Sequence, residues 1–440
     1  MPLILGAQSA VSTGFTVDNS CRLDAATGAW MYRTQETPTG TGTKASFSCW
    51  LKRGIYMATG GYLAIQDFAA TSSFAIYENA GKISFGALNS SGFVGTIYND
   101  PKERDPGAWM HVFALWDSTL GVAADRMQLW LNGVRQTNFS SSSNPSQDQV
   151  LDCLANNVVT RQLLYSYSYG GGSYFDGYMS QMAFCDGQAL AATDFGEFDE
   201  DSPTIWKPKD ISGLTFGDAG WFLDFGDSAD MGADVSGNGN DMTTVTNIDA
   251  TDQATDSPTN NFCLPNILNK YWCTLSDSNF SEGNANVDFD DAGEGFIDST
   301  LGVGASGGKW YWEVEIDAMS GTVASIMGEA GVCGTQCTDS GGTYGPPGKH
   351  ADGYIYSLTN GTIKNNGGQT TSWGDALVAG DILGIALDLD NSKIYFARNN
   401  TWQNSGDPTS GATGTGAAYI TSTTPSSFFR KRRCKWLWKF

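Results

Sequence analysis

Apolar and polar residues alternate with a period of two through most of the apolar segments of this chain. In Ser46-Phe-Ser-Cys-Trp-Leu51 the pattern sets Phe47, Cys49 and Leu51 on one face, and in Trp109-Met-His-Val-Phe-Ala-Leu115 it gathers Trp109, His111, Phe113 and Leu115. Such alternation marks a strand with one buried face. Met127-Gln-Leu-Trp-Leu131 alternates in the same way, meets Asn132-Gly133, and returns over Val134 to Phe139. Asn-Gly supplies the two positive-φ residues that a two-residue hairpin turn needs. Gly177-Tyr-Met-Ser-Gln-Met-Ala-Phe184 closes the series before a turn at Asp186-Gly187. The spacing predicts an antiparallel sandwich over residues 1–200.

Over residues 201–269 the periodicity fades into Asp, Ser, Thr, Asn and Pro, broken by one strand-like run, Gly220-Trp-Phe-Leu-Asp-Phe225. This segment reads as a connector, with that run as a candidate strand of the first sandwich. A second pattern then begins. In Lys309-Trp-Tyr-Trp-Glu-Val-Glu-Ile316 one face carries Trp310, Trp312, Val314 and Ile316, and the other carries Tyr311, Glu313 and Glu315. Gly380-Asp-Ile-Leu-Gly-Ile-Ala-Leu-Asp-Leu389 runs into a turn at Asp390-Asn391, and Lys393-Ile-Tyr-Phe396 answers it. A helix-period window of any length is absent from the sequence. The fold class expected is all-β: two tandem antiparallel β-sandwich (jelly-roll) domains, over 1–200 and 270–427, with a basic aromatic tail at 428–440.

Composition agrees with strands and tight turns: 440 residues hold 54 Gly, 14 Trp, 17 Tyr and 23 Phe, and only 16% are charged. The net charge of −22 repels a phosphate backbone, so nucleic acid is not an expected partner. Six of the 25 basic residues (Arg430, Lys431, Arg432, Arg433, Lys435 and Lys439) fall in the last eleven positions; without them the balance is 19 − 47, or −28. No apolar stretch approaches the roughly 20 residues that span a bilayer. Membrane insertion is therefore not expected, and Met1-Pro-Leu-Ile-Leu-Gly6 lacks the basic start of a signal peptide. Nine cysteines without a repeating framework read as reduced, mostly buried thiols of a protein made in a cytoplasm.

Two sets of residues carry a family resemblance. Trp109-Met-His-Val, Asp125-Arg-Met-Gln-Leu-Trp-Leu-Asn-Gly133, Tyr174-Phe-Asp-Gly-Tyr178 and Asp186-Gly-Gln-Ala-Leu190 resemble concanavalin A-like modules of the laminin G type, over roughly residues 15–200. Gly307-Gly-Lys-Trp-Tyr-Trp-Glu-Val, Gly353-Tyr, the run from Gly380 to Asp390 and Lys393-Ile-Tyr-Phe396 look like a SPRY domain, over roughly 270–420. With Asp194-Phe-Gly-Glu-Phe-Asp-Glu-Asp-Ser-Pro-Thr-Ile-Trp206 between them, the arrangement is similar to structural proteins of marine bacteriophages. A SPRY domain continues through further strands after Thr401-Trp-Gln-Asn404, whereas this chain turns basic and aromatic from Phe428 to Phe440. The second sandwich is therefore expected to be incomplete, with an exposed edge. A shifted reading frame or early stop, a tail that docks on an acidic partner and a membrane-surface segment are the competing readings of 421–440.

Candidate chemistry is sparse. Glu313, Glu315 and Asp317 stand at i, i+2 and i+4, a spacing that suits two-carboxylate hydrolysis of glycans; the alternative, and the expectation, is a solvated strand face. Asp234-Val-Ser-Gly-Asn-Gly-Asn-Asp241 begins like a calcium loop but has Val245 at the twelfth position, so a plain Asn-Gly turn is expected and calcium stays the alternative. Cys333-Gly-Thr-Gln-Cys337 lacks the further ligands a zinc site needs, since His111 and His350 are the only histidines. It reads as two neighbouring thiols, and His111 as a packed residue. Tyr165-Ser-Tyr-Ser-Tyr-Gly-Gly-Gly-Ser-Tyr174 is a strand with its loop, or an aromatic surface for sugars or subunits. No Gly-x-Ser-x-Gly elbow or P-loop is present.

These readings assign no catalytic residue and no metal ligand. What the resemblance implies is a non-enzymatic virion protein, made in the host cytoplasm: a tail fibre or receptor-binding component contacting host surface glycan and other virion proteins, as a homo-oligomer with a trimer favoured. A capsid-decorating or tail-scaffold protein without a receptor, and a glycan hydrolase, are the alternatives.

Overall fold

The computed structural model describes residues 14–25, 27–35, 40–54, 61–68, 72–79, 81–102, 105–155, 160–163, 174–271, 279–288, 296–300, 302, 307–317, 328–334, 348, 353–366, 368–370, 373–419, 425–430 and 434–437. It is nearly all β, and the chain divides into two compact units that part between Asn261 and Phe262. Each unit is built on two antiparallel sheets.

In the unit Ser9–Asn261, one sheet runs in the order Val134–Arg135, Met127–Leu131, Met110–Asp117, Lys44–Arg53, Gly177–Asp186, Ser20–Leu23, Gln253–Ala254. The other runs Phe139–Ser143, Gly92–Asn99, Lys82–Asn89, Ser72–Asn79, Gly61–Phe68, Thr160–Leu163, Trp30–Gln35, Thr244–Thr246. The alternation of Phe47, Cys49 and Leu51 points them into the core between these sheets, against Phe74, Ile76, Ile83 and Phe85. Asn132 and Gly133 take φ of 47° and 73° and join Leu131 to Val134 in a two-residue turn. The returning strand is short, Val134–Arg135, where the sequence pattern suggested a run to Phe139.

The face of His111, Phe113 and Leu115 is not the one that meets the second sheet; that role falls to Met110, Val112, Ala114 and Trp116. Phe113 and Leu115, with Ala183, Cys185 and Phe222, instead lie under a third layer made by Ala192, Phe195, Ile211 and Phe216. Both faces of Met110–Asp117 and of Gly177–Asp186 are therefore buried along their whole length. Phe195 and Phe216, at 2% and 3% exposure, each stabilise this layer by about 1.5–3 kcal/mol. Residues 201–261 are thus part of the first unit rather than a connector. Trp221–Leu223 pairs with Gly177–Asp186, Thr244–Thr246 with Trp30–Gln35, and Gln253–Ala254 with Ser20–Leu23. These strands are two or three residues long, too short for a periodic signal.

The unit from Phe262 onward has one sheet in the order Pro265–Tyr271, Phe296–Ser299, Pro425–Arg430, Glu329–Gly334, Tyr354–Ser357, Ile363–Asn365, Gly368–Thr370. The other runs Phe280–Ser281, Asn286–Val287, Cys434–Leu437, Lys309–Ile316, Ile382–Asp388, Lys393–Arg398, Thr401–Trp402. Here the structure corrects the expectation of an incomplete sandwich. Pro425–Arg430 pairs on both sides, with Phe296–Ser299 and Glu329–Gly334, and Cys434–Leu437 lies between Asn286–Val287 and Lys309–Ile316. The register sets Arg430 opposite Glu329 and Lys435 opposite Glu315.

Candidate functional site

The outer face of the second unit's sheet carries a groove of about 570 Å³, lined by Trp310, Tyr311, Ala386, Tyr395, Trp402 and Pro408, with Lys309 and Asp388 at one end. That size suits a small ligand or one segment of a chain. Register explains the groove. Tyr311, Ala386 and Tyr395 are directly opposite one another across three strands, and the next row is Glu313, Gly384, Ala397 and Trp402. Small residues in the middle strand form the floor, and aromatic rings rise on both sides.

A second tight turn places Trp402. Asn399 and Asn400 both adopt positive φ, 48° and 63°, and fold Thr401 back against Arg398. The Asn399 side chain fixes this turn by donating to Asp381 at 2.6 Å and accepting from the Ile382 amide at 2.8 Å. The Trp402 ring then stands edge-on to Tyr311 (centroids 6.2 Å apart) and to Tyr395 (6.3 Å). Tyr395 is 1% exposed, and its hydroxyl lies 3.3 Å from Ser410 Oγ, so it braces the groove from below.

Polar groups at the groove are paired apart from the buried Trp310 Nε1, which has no hydrogen-bond partner among the described residues. Tyr311 Oη donates to Glu313 Oε1 at 2.7 Å. Burial, and then this bond and charge, raise the Tyr311 pKa, so the hydroxyl keeps its proton. Gly384 makes room for the bond: a Cβ there would sit 2.8 Å from the Tyr311 oxygen. Lys309 Nζ is 3.2 Å from Asp388 Oδ2, and Asn391 donates to the same carboxylate at 3.0 and 2.8 Å. Burial opposes ionisation of Asp388, but the bonds from Asn391 and Lys309 outweigh it and hold the pKa below the usual value. A second carboxylate stands at this end, where Asp390 Oδ1 accepts from the Gly308 amide at 2.7 Å, and the side chain of Lys309 stays 58% exposed.

The sequence candidates fare differently. Glu313 is 5% exposed beneath Tyr311, which corrects the expectation of a solvated face and closes it to a substrate; Glu315 is half-buried and Asp317 exposed. Asp234 is fully engaged: Oδ1 accepts from the Phe222 and Ser236 amides, and Oδ2 from Ser236 Oγ and the Asn240 amide. Burial lowers the Arg33 pKa while the charges of Asp234 and Asp241 act to raise it. Among the described residues no group of three or more His, Cys, Asp or Glu side chains could hold a metal ion. Cys333 is disulfide-bonded, not a thiol as the sequence suggested, while Cys21, Cys49, Cys153, Cys185 and Cys263 are free and buried. Cys337 and residues 165–173 of the tyrosine cluster lie outside the described residues; Tyr174 packs on Gly28. No helix among the described residues is long and apolar enough to cross a membrane.

The strands that build the groove, Lys309–Ile316, Ile382–Asp388, Lys393–Arg398 and Thr401–Trp402, decide the comparison with known families. Residues 309–422 match the SPRY domain. The groove of this SPRY-like unit was visible in the sequence only as separate pieces, because Tyr311, Tyr395 and Trp402 come together through register. No curated protein matches the chain. Among solved structures, the SPRY domain of human HERC1 is similar at 14% identity and a TM-score of 0.29, over 39% of this chain and 96% of that one. Domains LG4-5 of the mouse laminin alpha1 chain are similar at 10% identity and a TM-score of 0.33, over 94% of this chain and 82% of that one. A heptameric SAP-like pentraxin from Limulus polyphemus is similar at 15% identity and a TM-score of 0.30, over 40% and 78%.

Proposed function

We propose that this chain is a non-enzymatic bacteriophage virion protein, a tail-fibre or receptor-binding component whose SPRY-like unit contacts host surface glycan. The observation that carries the reading is the groove beside Trp402: aromatic walls, a small-residue floor and one polar end. A pyranose ring has apolar C–H faces and a polar edge, so it stacks on indole and phenol rings while its hydroxyls meet Lys309. The sealed position of Glu313 supports binding without hydrolysis. Weak single sites suffice when several copies act together, which fits a trimeric assembly on a particle.

The test is a glycan array, with host envelope polysaccharides included, probed with the full chain and with Trp402→Ala. Antibody labelling of purified particles and an adsorption assay accompany it. The reading expects glycan capture that Trp402→Ala abolishes, label on the particle, and antibodies that block adsorption. Labelled particles with no glycan capture and unblocked adsorption would instead make it a decorating or scaffold protein, and hydrolysis of a captured glycan would make it an enzyme.

A further inference from the structure

The side chain of Lys52 has no exposed surface, and it carries an amine to the last residue of its unit. Its Nζ lies 2.8 Å from Asn261 Oδ1 and 2.7 Å from Asp256 Oδ2, across 209 and 204 positions of sequence. The surroundings are aromatic: the Tyr178 ring centroid is 6.0 Å from Nζ, and the Trp109 ring lies 6.4 Å from that of Tyr178. A lysine, a carboxylate and a carboxamide therefore meet out of reach of solvent. An ion pair needs only the first two.

Each partner is held in one orientation. Trp109 Nε1 donates to Asp256 Oδ1 at 2.9 Å, while Oδ2 meets the lysine. Asn261 Nδ2 donates to the Gly107 carbonyl at 2.9 Å, which turns Oδ1 toward Nζ. The backbone between the two is tied down as well. Ser20 Oγ donates to the Asp256 carbonyl at 2.6 Å, Ser257 pairs with Asn260, and Thr259 Oγ1 donates to the Val17 carbonyl at 3.0 Å. A shift of Nζ along the carboxamide carbonyl places it over Cγ, in the near-attack range of about 3–3.5 Å, with the segment unmoved. Out of water an ion pair loses its hydration, which lowers the cost of passing a proton from Nζ to Oδ2 along their hydrogen bond. That transfer leaves a neutral amine, a nucleophile, beside a carboxylic acid.

We propose that Lys52 and Asn261 join in an intramolecular isopeptide bond, with Asp256 as the proton relay. The Nζ lone pair attacks Asn261 Cγ, the Nζ–Cγ bond forms, and the Cγ–Nδ2 bond breaks. The ammonium starts with three protons and the amide nitrogen keeps one. Asp256 relays the other two to Nδ2, which leaves as ammonium, and the carboxylate is restored. The ion pair of the structure is the reactant state, and half-buried Asn261 gives the leaving group a way out. The product ties the strand Lys44–Arg53, in the middle of its sheet, to the residue where the first unit ends. Tension on the chain beyond Asn261 then passes into that strand instead of peeling residues 201–261 away. The bond belongs to the other unit from the glycan groove and stands apart from that reading.

The experiment is the intact mass of the purified full chain, reduced and denatured, followed by a tryptic map. The expected result is a mass lower than that of the sequence by one ammonia, with a branched peptide that joins the segments of Lys52 and Asn261. Asn261→Ala keeps the Lys52–Asp256 pair and should retain its full mass. Asp256→Asn should form the bond at least tenfold more slowly. Because that change also strips a buried charge of its partner, Asn261→Ala carries the decision. A natural chain that keeps its full mass after prolonged incubation overturns the proposal. An ammonia loss that persists in Asn261→Ala is cyclisation at an Asn-Gly such as Asn132-Gly133, and overturns it too. So does deamidation of Asn261, read as a gain in mass without a branched peptide.

Discussion

Trp206 Nε1 donates a hydrogen bond to His111 Nδ1 at 3.1 Å, deep beneath the outer layer of the first unit. An indole nitrogen can only donate, so Nδ1 must be the acceptor and the proton of the neutral ring sits on Nε2. That Nε2–H faces Ser48 Oγ at 2.8 Å. Both ring nitrogens are thus committed to the neutral state, and burial pushes the His111 pKa down to about 3.

The consequence is a pH dependence of stability. Unfolded His111 titrates near 6.5, and the folded residue stays neutral down to about 3. Between those values the unfolded state binds the extra proton, so stability is lost as pH falls through the window, by on the order of 5 kcal/mol at most. Urea midpoints from pH 7 to pH 4 check this. His111→Gln should flatten the slope relative to the natural chain, whose acidic residues contribute the same background to both.

Lys52 is enclosed completely, with its ammonium 2.7 Å from Asp256 Oδ2 and 2.8 Å from Asn261 Oδ1. Trp109 Nε1 donates to the other oxygen of Asp256 at 2.9 Å. This pair fastens residues 256–261 to the outside of the sheet. Lys52→Met leaves the Asp256 charge buried and should cost about 3–5 kcal/mol. The double variant Lys52→Met, Asp256→Asn should recover part of that loss, because no unpaired charge remains. Chemical denaturation of the three proteins measures both effects.

Two glycines with left-handed backbone separate steric from conformational cost. Gly133 (φ 73°) lies against the Trp206 ring, whereas Gly237 (φ 88°) has nothing within 4 Å of its missing Cβ. Gly237→Ala should cost only the backbone strain, about 1–2 kcal/mol. Gly133→Ala adds a clash at 2.2 Å with a buried indole, so it should lose clearly more and change the near-ultraviolet circular dichroism.

Truncation after Tyr419 removes Pro425–Arg430 and Cys434–Leu437, each flanked by strands on both sides. Their neighbours would be left with unpaired backbone groups through the middle of both sheets. Limited proteolysis of the truncated chain should digest the region after Phe262 and leave a fragment ending near Asn261. Equal resistance of both units would contradict the topology.

The all-β fold was legible because alternation is long in Lys44–Arg53, Met110–Asp117, Lys309–Ile316 and Ile382–Asp388. The third layer was not. It is made of a four-residue helix, very short strands and turns, whose apolar residues Phe195, Ile211 and Phe216 follow no period. His111 and Phe113 looked like the ordinary inner face, since alternation names two faces without saying which is covered by what. The strands in the basic tail were hidden by composition, as Arg430-Lys-Arg-Arg433 offers no apolar alternation and the strands they pair with lie a hundred residues or more away in the chain. Trp402 escaped notice because its place beside Tyr311 and Tyr395 depends on the Asn399-Asn400 turn and on cross-strand register.

The groove beside Trp402 is the centre of the account, and fluorine NMR of the chain labelled with fluorotryptophan reads it directly. Trp402→Phe identifies one signal, and an oligosaccharide captured on the array is then titrated into the natural chain. The account predicts that the Trp402 signal shifts and saturates with the ligand, with Trp310 as the next most affected. A ligand that binds while the Trp402 signal stays still would contradict it.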